Sequence, residues 1–565
     1  MSKKKVTQIL SGGQAVIKQL KKENVSCVFG LIGSATMEIF DALYYEKSIR
    51  FIDVRDERTG THMADGYARA SGNPGIIIAG QNGPGATNLV TGIAQAKAAF
   101  SPVISIAGDI TSEHKGKDAF QEVDQQSLFE PITKKTFSIT KTNLIPKTIN
   151  KAFSLALSLR QGPVHINLPR DTLSNKDKFL RFNHHNVKKL HSIKRKDLKK
   201  ILNLISLSKQ PIIIAGGGIK NSQNYFEVMK FAKHFQIPVV SSPGHADAIP
   251  YKEKLYAGQM GPRGNPIASK HVKQADLIFA LGTRLGFNST FYSYDNINRK
   301  AKIIQIDADP ISIGRYFPID IGICCDVKDL ISKLNLLIPK YKNLYSSKLW
   351  TKDFLKQKNE YFRIRNEEVN INSTPIKPLG LFKILRDIMP INSAVTLDAG
   401  TLCLQATDML NFNKPKTFFT PLDFGLVGFS FACGLGIKLA KPKTTVFSLM
   451  GDGGFGMTIS ELSTAVQHKI NTITLILNNN SWGAEKAYQR DYYNKRYIGA
   501  DIKNPPFHKL AELYGAKGYY VKKLSNLKKV IKKALKCNKP VVINIEMDPD
   551  ALFSFRKDSF KHKTK

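Results

Sequence analysis

Residues 449–456 read Leu-Met-Gly-Asp-Gly-Gly-Phe-Gly, and residues 477–483, one helix-length segment and one apolar run later, read Leu-Asn-Asn-Asn-Ser-Trp-Gly. Glycines placed directly after an apolar strand let backbone N–H groups and a helix N-terminus approach a phosphate. Asp452 in the first stretch and Asn479 in the second offer oxygen ligands of the kind that Mg²⁺ prefers. Taken alone, the two stretches are also consistent with a tight Gly-Asp-Gly turn and with asparagines that cap a strand.

Around these stretches, apolar runs alternate with helix-length segments along the whole chain. The runs form three groups, at residues 27–29, 76–79, 103–107 and 164–168, then 212–215, 239–240, 277–281 and 303–306, then 395–397, 445–450, 473–477 and 541–545. This alternation is typical of parallel sheets with crossover helices. We therefore predict the α/β fold class, with three consecutive doubly wound parallel-sheet domains at residues 1–182, 190–340 and 379–565, and a polar, lysine-rich linker at 341–378. Ligands of such sheets lie at the carboxyl ends of the strands.

The order strand, Gly-Asp-Gly, helix, strand, Asn-Asn resembles the cofactor motif of the thiamine diphosphate-dependent enzymes. This resemblance implies an N-terminal pyrimidine-binding domain, a central domain and a C-terminal diphosphate-binding domain. It implies thiamine diphosphate and Mg²⁺ as cofactors, with the ion held by Asp452, Asn479 and Ser481. It also implies that the diphosphate lies against Gly451, Gly453, Gly454 and Trp482.

A second segment, residues 51–69, resembles the part of this family that carries its catalytic glutamate. It reads Phe-Ile-Asp-Val-Arg-Asp-Glu-Arg-Thr-Gly-Thr-His-Met-Ala-Asp-Gly-Tyr-Ala-Arg, so that Glu57 falls on the glutamate and Asp56 replaces the usual histidine. A carboxyl group hydrogen-bonded to a ring nitrogen of the aminopyrimidine favours the imino tautomer, whose nitrogen can remove the thiazolium C2 proton. The alternative role for Glu57 is a surface salt bridge with Arg55 or Arg58.

Four shorter segments resemble the same family. Residues 80–88 resemble its glycine-rich first-domain loop, and residues 118–122 resemble its Phe-Gln-Glu segment that faces the reactive ring. Residues 398–401 and 425–429 resemble the pieces that contact the diphosphate and the pyrimidine, with Val427 in the place of the bulky wedge that bends the cofactor. The resemblance implies cofactor contacts by Gly83, Asn88, Gly400, Thr401, Gly425 and Val427, and catalytic contacts by Glu57, Phe120 and Gln121.

Within the acetolactate synthase-like superfamily, the run Trp-Gly-Ala-Glu-Lys that begins at Trp482, and the residues up to Tyr497, resemble the sulfoacetaldehyde acetyltransferases. This implies cleavage of sulfoacetaldehyde with phosphate to acetyl phosphate and sulfite, as in taurine and sulfonate degradation. Acetolactate synthase or a related 2-oxo-acid carboligase is the alternative. Residues 281–290 differ from the segment of acetolactate synthases near FAD, so we do not expect FAD. The candidate contacts to the anionic substrates and their protons are His62, His114, Arg284, Lys486 and Arg490.

Composition limits the partners. The 565 residues include 84 Lys and Arg against 45 Asp and Glu, a net charge of +39. The lysines are spread along the chain without interleaved aromatic residues, so we expect a solvated basic surface that attracts small anions rather than a nucleic-acid interface.

No stretch has the roughly 20 apolar residues of a membrane span, and polar residues interrupt the first apolar run too often for a signal peptide. Six cysteines without a CxxC pair indicate reduced thiols. We expect a cytoplasmic enzyme and, from the resemblance, a homodimer or homotetramer with its active site between chains.

Overall fold

The computed structural model describes residues 7–187, 193–340, 347–367, 369, 373–556 and 558–563. Within these residues the chain forms three sheets of six parallel strands each, which confirms the predicted fold class. The strands are β1 (Gln8–Ser11), β2 (Cys27–Leu31), β3 (Arg50–Asp53), β4 (Gly75–Ala79), β5 (Val103–Asp109), β6 (Lys135–Ser138), β7 (Val164–Pro169), β8 (Lys176–Phe179), β9 (Pro211–Ala215), β10 (Val239–Ser241), β11 (Tyr256–Gln259), β12 (Leu277–Leu281), β13 (Lys302–Asp307), β14 (Ile321–Cys324), β15 (Ala394–Leu397), β16 (Phe418–Phe419), β17 (Val446–Gly451), β18 (Ile473–Asn478), β19 (Lys517–Val521) and β20 (Val541–Glu546).

The strand orders are β3-β2-β4-β5-β7-β6 in the N-terminal sheet, β11-β10-β9-β12-β13-β14 in the central sheet and β16-β15-β17-β18-β20-β19 in the C-terminal sheet. A separate antiparallel pair joins β1 to β8, with Gln8 opposite Phe179. Each parallel connection needs a crossover, and helices supply most of these crossovers.

The helices are α1 (Gly12–Lys22), α2 (Met37–Tyr45), α3 (Glu57–Ser71), α4 (Gly83–Ala98), α5 (Gln125–Phe129), α6 (Ile145–Leu157), α7 (Arg170–Ser174), α8 (Arg195–Leu207), α9 (Gly217–Ser222), α10 (Tyr225–Phe235), α11 (Pro266–Gln274), α12 (Phe287–Thr290), α13 (Val327–Leu337), α14 (Lys348–Glu367), α15 (Pro378–Ile388), α16 (Thr401–Met409), α17 (Ser430–Ala440), α18 (Asp452–Gly456), α19 (Glu461–Gln467), α20 (Gly483–Tyr492), α21 (Phe507–Leu513) and α22 (Leu524–Leu535).

Each sheet is covered on both faces, and successive residues of a strand therefore belong to different hydrophobic cores. In the central sheet Ile213 belongs to one core and its neighbours Ile212 and Ile214 belong to another. Since side chains alternate along a strand, a strand buried on both faces reads as an unbroken apolar run. This is why the runs in the sequence predicted the strands.

The N-terminal and C-terminal domains share one core cluster, in which Phe29 and Ile77 pack together with Phe431 and Ile476. Helix α3 crosses α17 closely at Gly66, where a Cβ would overlap the carbonyl oxygen of Cys433. Helix α3, whose first residue is the predicted catalytic glutamate, is therefore held against the C-terminal domain of the same chain.

The segment 341–378 contains more structure than the predicted linker. Its residues Lys348–Glu367 form the 20-residue helix α14. Trp350 and Phe354 of this helix are buried, and Trp350 Nε1 donates a 3.0 Å hydrogen bond to the carbonyl oxygen of Pro211. At its other end Arg365 forms a 3.1 Å ion pair with Asp408 of the C-terminal domain. The apolar residues of the helix pack on the central domain, so this part of the segment connects the domains as a packed element.

No helix within the described residues combines the length and the apolar character that a bilayer crossing requires.

Candidate active site

The two glycine- and asparagine-containing stretches meet at the carboxyl edge of the C-terminal sheet. Strands β17 and β18 are neighbours, with Gly451 opposite Leu477, so the residues that follow each strand lie side by side. Asp452 follows β17 and is buried as the first residue of α18. Asn479 follows β18, and its side-chain amide lies 3.3 Å from Asp452 Oδ1.

The Asp452, Asn479 and Ser481 oxygens fit a hard cation. The amide atom of Asn479 that faces Asp452 also lies 3.2 Å from the carbonyl oxygen of Ser481. If the amide nitrogen of Asn479 faces the Asp452 and Ser481 oxygens, it donates hydrogen bonds to them. If the amide oxygen faces them instead, three oxygens lie together and can bind a cation. Oxygens that share one octahedral Mg²⁺ at right angles lie about 3 Å apart, close to these separations. Burial raises the pKa of Asp452, and a divalent cation would offset that cost of burying the charge.

Sequence reasoning missed Asn504. Its Nδ2 donates to Asp452 Oδ2 at 2.6 Å and also lies 3.3 Å from Asn478 Oδ1 and 3.2 Å from Asn480 Oδ1. The segment before it folds back on the asparagine stretch, where Ile502 N donates to the carbonyl oxygen of Asn480 at 2.9 Å. No local sequence motif predicts this contact, because it forms only when a later segment of the chain folds back onto the asparagine stretch.

The predicted diphosphate residues border open space. A Cβ placed on Gly400, Gly425 or Gly451 would meet no other atom within 4 Å. Gly451 is the last residue of β17, and Gly400 and Gly425 follow β15 and β16 of the same sheet. A helix N-terminus and backbone N–H groups at such a sheet edge can approach a phosphate. The space therefore fits the diphosphate half of the cofactor.

Trp482 closes one side of this space. A Cβ on Gly453 would lie 2.6 Å from the Trp482 ring, so the ring packs directly on the glycine. A Cβ on Gly454 would lie 3.3 Å from Val427 Cγ1 and would overlap the carboxylate of Asp398. The glycines of the Gly-Asp-Gly-Gly stretch thus serve close packing as well as phosphate approach.

Asp398 is a second residue that sequence reasoning did not single out. Its buried carboxylate accepts hydrogen bonds from the backbone N–H groups of Gly428 at 2.8 Å, Phe429 at 2.7 Å and Ser430 at 3.1 Å. Burial raises its pKa to about 7 against these donors. Asp398 therefore fixes the loop that carries Gly425 and Val427 to the end of β15. Thr401, three residues later, is buried beside Asn479 and Gly483.

Glu57 is buried as the first residue of α3. Its Oε2 accepts a 3.0 Å hydrogen bond from Asn88 Nδ2, and its Oε1 lies 3.2 Å from the position that a Cβ on Gly85 would take. Burial raises the pKa of Glu57. The alternative of a surface salt bridge fails, because Arg55 pairs with Asp53 and Arg58 contacts Asp56 and the carbonyl oxygen of Met457.

The structure brings Gln121 to the glycine-rich loop beside Glu57. Gly83 N donates a 2.9 Å hydrogen bond to the carbonyl oxygen of Gln121, and Gln121 has a positive φ of 63°. The side chain of Phe120 next to it is 86% exposed. An aromatic residue so exposed, next to the residue that bonds the glycine-rich loop, is available to a cofactor or to another chain.

The two candidate histidines occupy different environments. His62 is buried against Phe429, with ring centroids 5.5 Å apart, and burial lowers its pKa to about 3. The predicted substrate contact of His62 is therefore not supported, because its ring lies inside the packing of α3 against the C-terminal domain. His114 is exposed, and its Nδ1 lies 3.0 Å from Thr111 Oγ1.

The three candidate cations have partners in this chain. Lys486 Nζ lies 2.6 Å from Asp501 Oδ1, and Arg490 Nε lies 2.6 Å from Asp491 Oδ1. Arg284 lies 3.6 Å from Asp423 and over the ring of Phe100. It borders a separate cavity of about 620 Å³ between the three domains. Lys486 and Arg490, on α20 directly after Trp482, are thus the two that stand near the diphosphate space.

Comparison with known families agrees with this geometry. Residues 10–128 match the thiamine pyrophosphate enzyme N-terminal TPP binding domain, residues 198–334 match the central domain, and residues 398–545 match the C-terminal TPP binding domain. The three matches follow the order of the three sheets.

Two kinds of relative resemble the chain over nearly its full length. The acetolactate synthase large subunit of Buchnera aphidicola subsp. Schizaphis graminum is 36% identical, over 94% of this chain and 93% of that protein. The probable acetolactate synthase large subunit of Methanocaldococcus jannaschii is 34% identical, over 96% and 92%. The sulfoacetaldehyde acetyltransferase of Alcaligenes xylosoxydans xylosoxydans is 31% identical, over 97% and 95%. These similar identities do not single out the acetyltransferases, but they show that the chain belongs to the thiamine pyrophosphate-dependent enzyme family.

Proposed function

We propose that this enzyme is a sulfoacetaldehyde acetyltransferase, which cleaves sulfoacetaldehyde with phosphate to give acetyl phosphate and sulfite. The observation that carries the proposal is the position of α20. This helix holds the Trp-Gly-Ala-Glu-Lys run that resembles the acetyltransferases, and it begins where Trp482 packs on Gly453 of the diphosphate loop. The distinguishing segment therefore borders the cofactor space and not a remote surface.

The proposal assigns the cofactors to both terminal domains. Asp452, Asn479 and Ser481 would hold Mg²⁺, and the open space at Gly400, Gly425 and Gly451 would hold the diphosphate. When bound, thiamine diphosphate supplies a carbanion that adds to a carbonyl carbon and then serves as an electron sink. FAD is not part of the proposal.

Glu57 would hold a ring nitrogen of the aminopyrimidine. Its raised pKa lets the buried carboxyl group keep a proton closer to neutral pH than an exposed glutamate can, and so donate it in a hydrogen bond. Asn88, which donates to Oε2 at 3.0 Å, orients the carboxyl group. The role of Asn88 is therefore positioning.

The overall reaction balances without an external oxidant. The carbon-sulfur bond breaks and sulfite leaves with the electron pair of that bond. The aldehyde carbon loses its hydrogen as a proton, and the methylene carbon gains a proton and becomes the methyl group. A phosphate oxygen, which gives up its own proton to the departing sulfite, forms the new bond to the acyl carbon. Exposed His114 remains a candidate for moving the proton to the methylene carbon. Lys486 and Arg490 remain candidates for the two anions, since guanidinium and ammonium groups recognise sulfonate and phosphate oxygens.

We also propose that each active site forms between two chains. Phe120 is 86% exposed next to Gln121, which bonds the glycine-rich loop, while Phe424 and Met457 are 48% and 41% exposed beside the loop of Gly425 and Val427. Exposed apolar side chains at both half-sites favour an interface that covers them. In a symmetric dimer, the N-terminal half-site of one protomer would face the C-terminal half-site of its partner.

Acetolactate synthase is the second candidate, because relatives with that activity are as similar to this chain as the acetyltransferases are. Purified protein with thiamine diphosphate and Mg²⁺ separates the two. Sulfoacetaldehyde with phosphate should give acetyl phosphate, detected by phosphorus NMR, without bound flavin. Acetolactate from pyruvate, with a flavin spectrum and no acetyl phosphate, would favour the second candidate and contradict the first.

A further inference from the structure

Outside the candidate active site, the N-terminal domain holds a cluster of one carboxylate and two imidazoles. Glu23 is the C-cap residue of α1, and its side chain is fully buried. His184 and His185 follow β8 and approach the same carboxylate. One ligand atom from each of the three residues lies within 4.8 Å of the other two.

Hydrogen bonds hold the Glu23 carboxylate in place. Oε1 accepts from Gln19 Nε2 at 2.7 Å and from Asn150 Nδ2 at 3.0 Å, and Oε2 accepts from the backbone N–H of His185 at 3.0 Å. Among the ion pairs of the described residues, those of Glu23 involve only His184 and His185. A buried carboxylate without a Lys or Arg partner requires another source of positive charge.

The tautomer of His184 indicates what supplies this charge. Its Nδ1 lies 3.0 Å from the carbonyl oxygen of His185, which can only accept, so Nδ1 carries a proton. With Nε2 unprotonated, His184 presents a lone pair to Glu23 Oε2 at 4.0 Å. Two acceptors that face each other at this distance are stabilised by a cation between them. Metal-bound histidines commonly donate their second N–H to a carbonyl group in this way.

We propose that Glu23 Oε2, His184 Nε2 and His185 Nδ1 form a binding site for a divalent transition metal of the Zn²⁺ class. Ligand atoms around a tetrahedral Zn²⁺ lie about 3.3 Å apart, and Glu23 Oε2 lies 2.8 Å from His185 Nδ1 and 4.0 Å from His184 Nε2. The side chain of His184 is 45% exposed, so it can close on the ion. The metal replaces the proton between His185 and Glu23, and water completes the coordination.

Ligand chemistry separates this site from the Mg²⁺ site. Two imidazole nitrogens and one carboxylate suit Zn²⁺, Co²⁺ or Ni²⁺, whereas the Asp452 site offers oxygen atoms alone. Because Glu23 ends α1 and His184 follows β8, a bound ion fastens the segment that leaves the N-terminal domain onto its first helix.

The test uses the 565-residue protein, stripped with EDTA and then saturated with Mg²⁺ and thiamine diphosphate so that the cofactor site is filled. Titration with ZnCl₂ by calorimetry should show one equivalent of saturable binding per chain and a rise in melting temperature. CoCl₂ in its place should give the visible absorption of a tetrahedral site. His184→Ala, which changes a partly exposed residue, and His185→Asn should each weaken Zn²⁺ binding at least about tenfold.

His562→Ala, which removes an exposed histidine at the other end of the chain, is the matched control and should bind Zn²⁺ as the wild type does. Equal Zn²⁺ affinity in wild type, His184→Ala and His185→Asn would overturn the proposal. So would the absence of a saturable equivalent, with a melting temperature that responds to pH but not to EDTA or Zn²⁺, since an imidazolium-carboxylate pair would then supply the charge.

Discussion

Asn504 donates a 2.6 Å hydrogen bond to the buried carboxylate of Asp452, which lies 52 residues earlier in the chain. The bond reaches Oδ2, while Oδ1 faces the side-chain amide of Asn479. Asn504 therefore holds one carboxylate oxygen so that the other points to the proposed metal position. The geometry makes a residue outside both sequence motifs part of the support for the Mg²⁺ site.

Replacing Asn504 by Ala should weaken Mg²⁺ binding about 10- to 100-fold, because residues that orient metal ligands contribute this much to affinity. Mg²⁺-dependent thiamine diphosphate binding, followed by tryptophan fluorescence of Trp482, measures the change. Asn538→Ala, at an exposed position, should leave it unaltered. An unchanged Mg²⁺ requirement in the Asn504 variant would contradict the positioning role.

Gly453→Ala should lose cofactor binding and about 1 to 3 kcal/mol of stability, because its methyl group would overlap the Trp482 ring. Gly456→Ala, in the same short helix, is the control, since a Cβ there meets no atom within 4 Å. Urea unfolding and thiamine diphosphate titration measure the two effects. Equal behaviour of both variants would show that Trp482 does not pack on this glycine in solution.

Glu57→Gln should lower kcat about 100- to 10,000-fold, the range of general acid–base catalysis, while thiamine diphosphate and Mg²⁺ remain bound. Glu512→Gln, which changes an exposed carboxylate of the C-terminal domain, should keep full activity. Steady-state rates and cofactor titrations distinguish loss of chemistry from loss of binding. Full activity of the Glu57 variant would remove it from the reaction.

If the half-sites belong to different protomers, inactive Glu57→Gln and Asp452→Asn variants should complement each other. Each mixed dimer would contain one site with both substitutions and one intact site, so random 1:1 mixing should restore about a quarter of wild-type activity. Co-expression with two affinity tags isolates the hybrid. An inactive, purified hybrid would place both residues in a site within one chain.

Stability should depend on the charge of Asp53 at low pH. Burial acts to raise the pKa of Asp53, but hydrogen bonds from Arg55 and His468 lower it below its usual value. A depressed native pKa stabilises the fold above the unfolded pKa of about 4, and this stabilisation is lost as pH falls through the native value. Urea midpoints of the wild type should therefore decline more steeply below about pH 4 than those of Asp53→Asn. Parallel curves would contradict this role.

The sequence predicted the features that depend on local patterns of residues, namely the buried strands and the residues directly after them. Parallel strands buried on both faces read as apolar runs, and the Gly-Asp-Gly and Asn-Asn stretches follow two of these runs, which is why Asp452 and Asn479 could be proposed as metal ligands from the sequence. Asn504 could not be found in this way, because its role depends on where a returning loop meets Asp452. Asp398 lies in the segment 398–401 that resembles the family, but its role in fixing the loop depends on where a helix N-terminus meets it.

His62 shows a different limit. It stands five residues after Glu57 on α3, and side chains five apart on a helix point about 140° away from each other. When Glu57 faces the glycine-rich loop, His62 faces Phe429 in the packing against the C-terminal domain. Helix α14 inside the linker segment was not predicted for a related reason, since the few apolar residues among its lysines suffice to dock it.

The most direct test of the proposed reaction is the phosphate dependence of sulfite release from sulfoacetaldehyde, measured with purified enzyme, thiamine diphosphate and Mg²⁺. We predict that sulfite and acetyl phosphate form in equal amounts, that both rates saturate with phosphate, and that Glu57→Gln forms neither. No sulfite at any phosphate concentration, with acetolactate formed when pyruvate is supplied, would contradict the assignment.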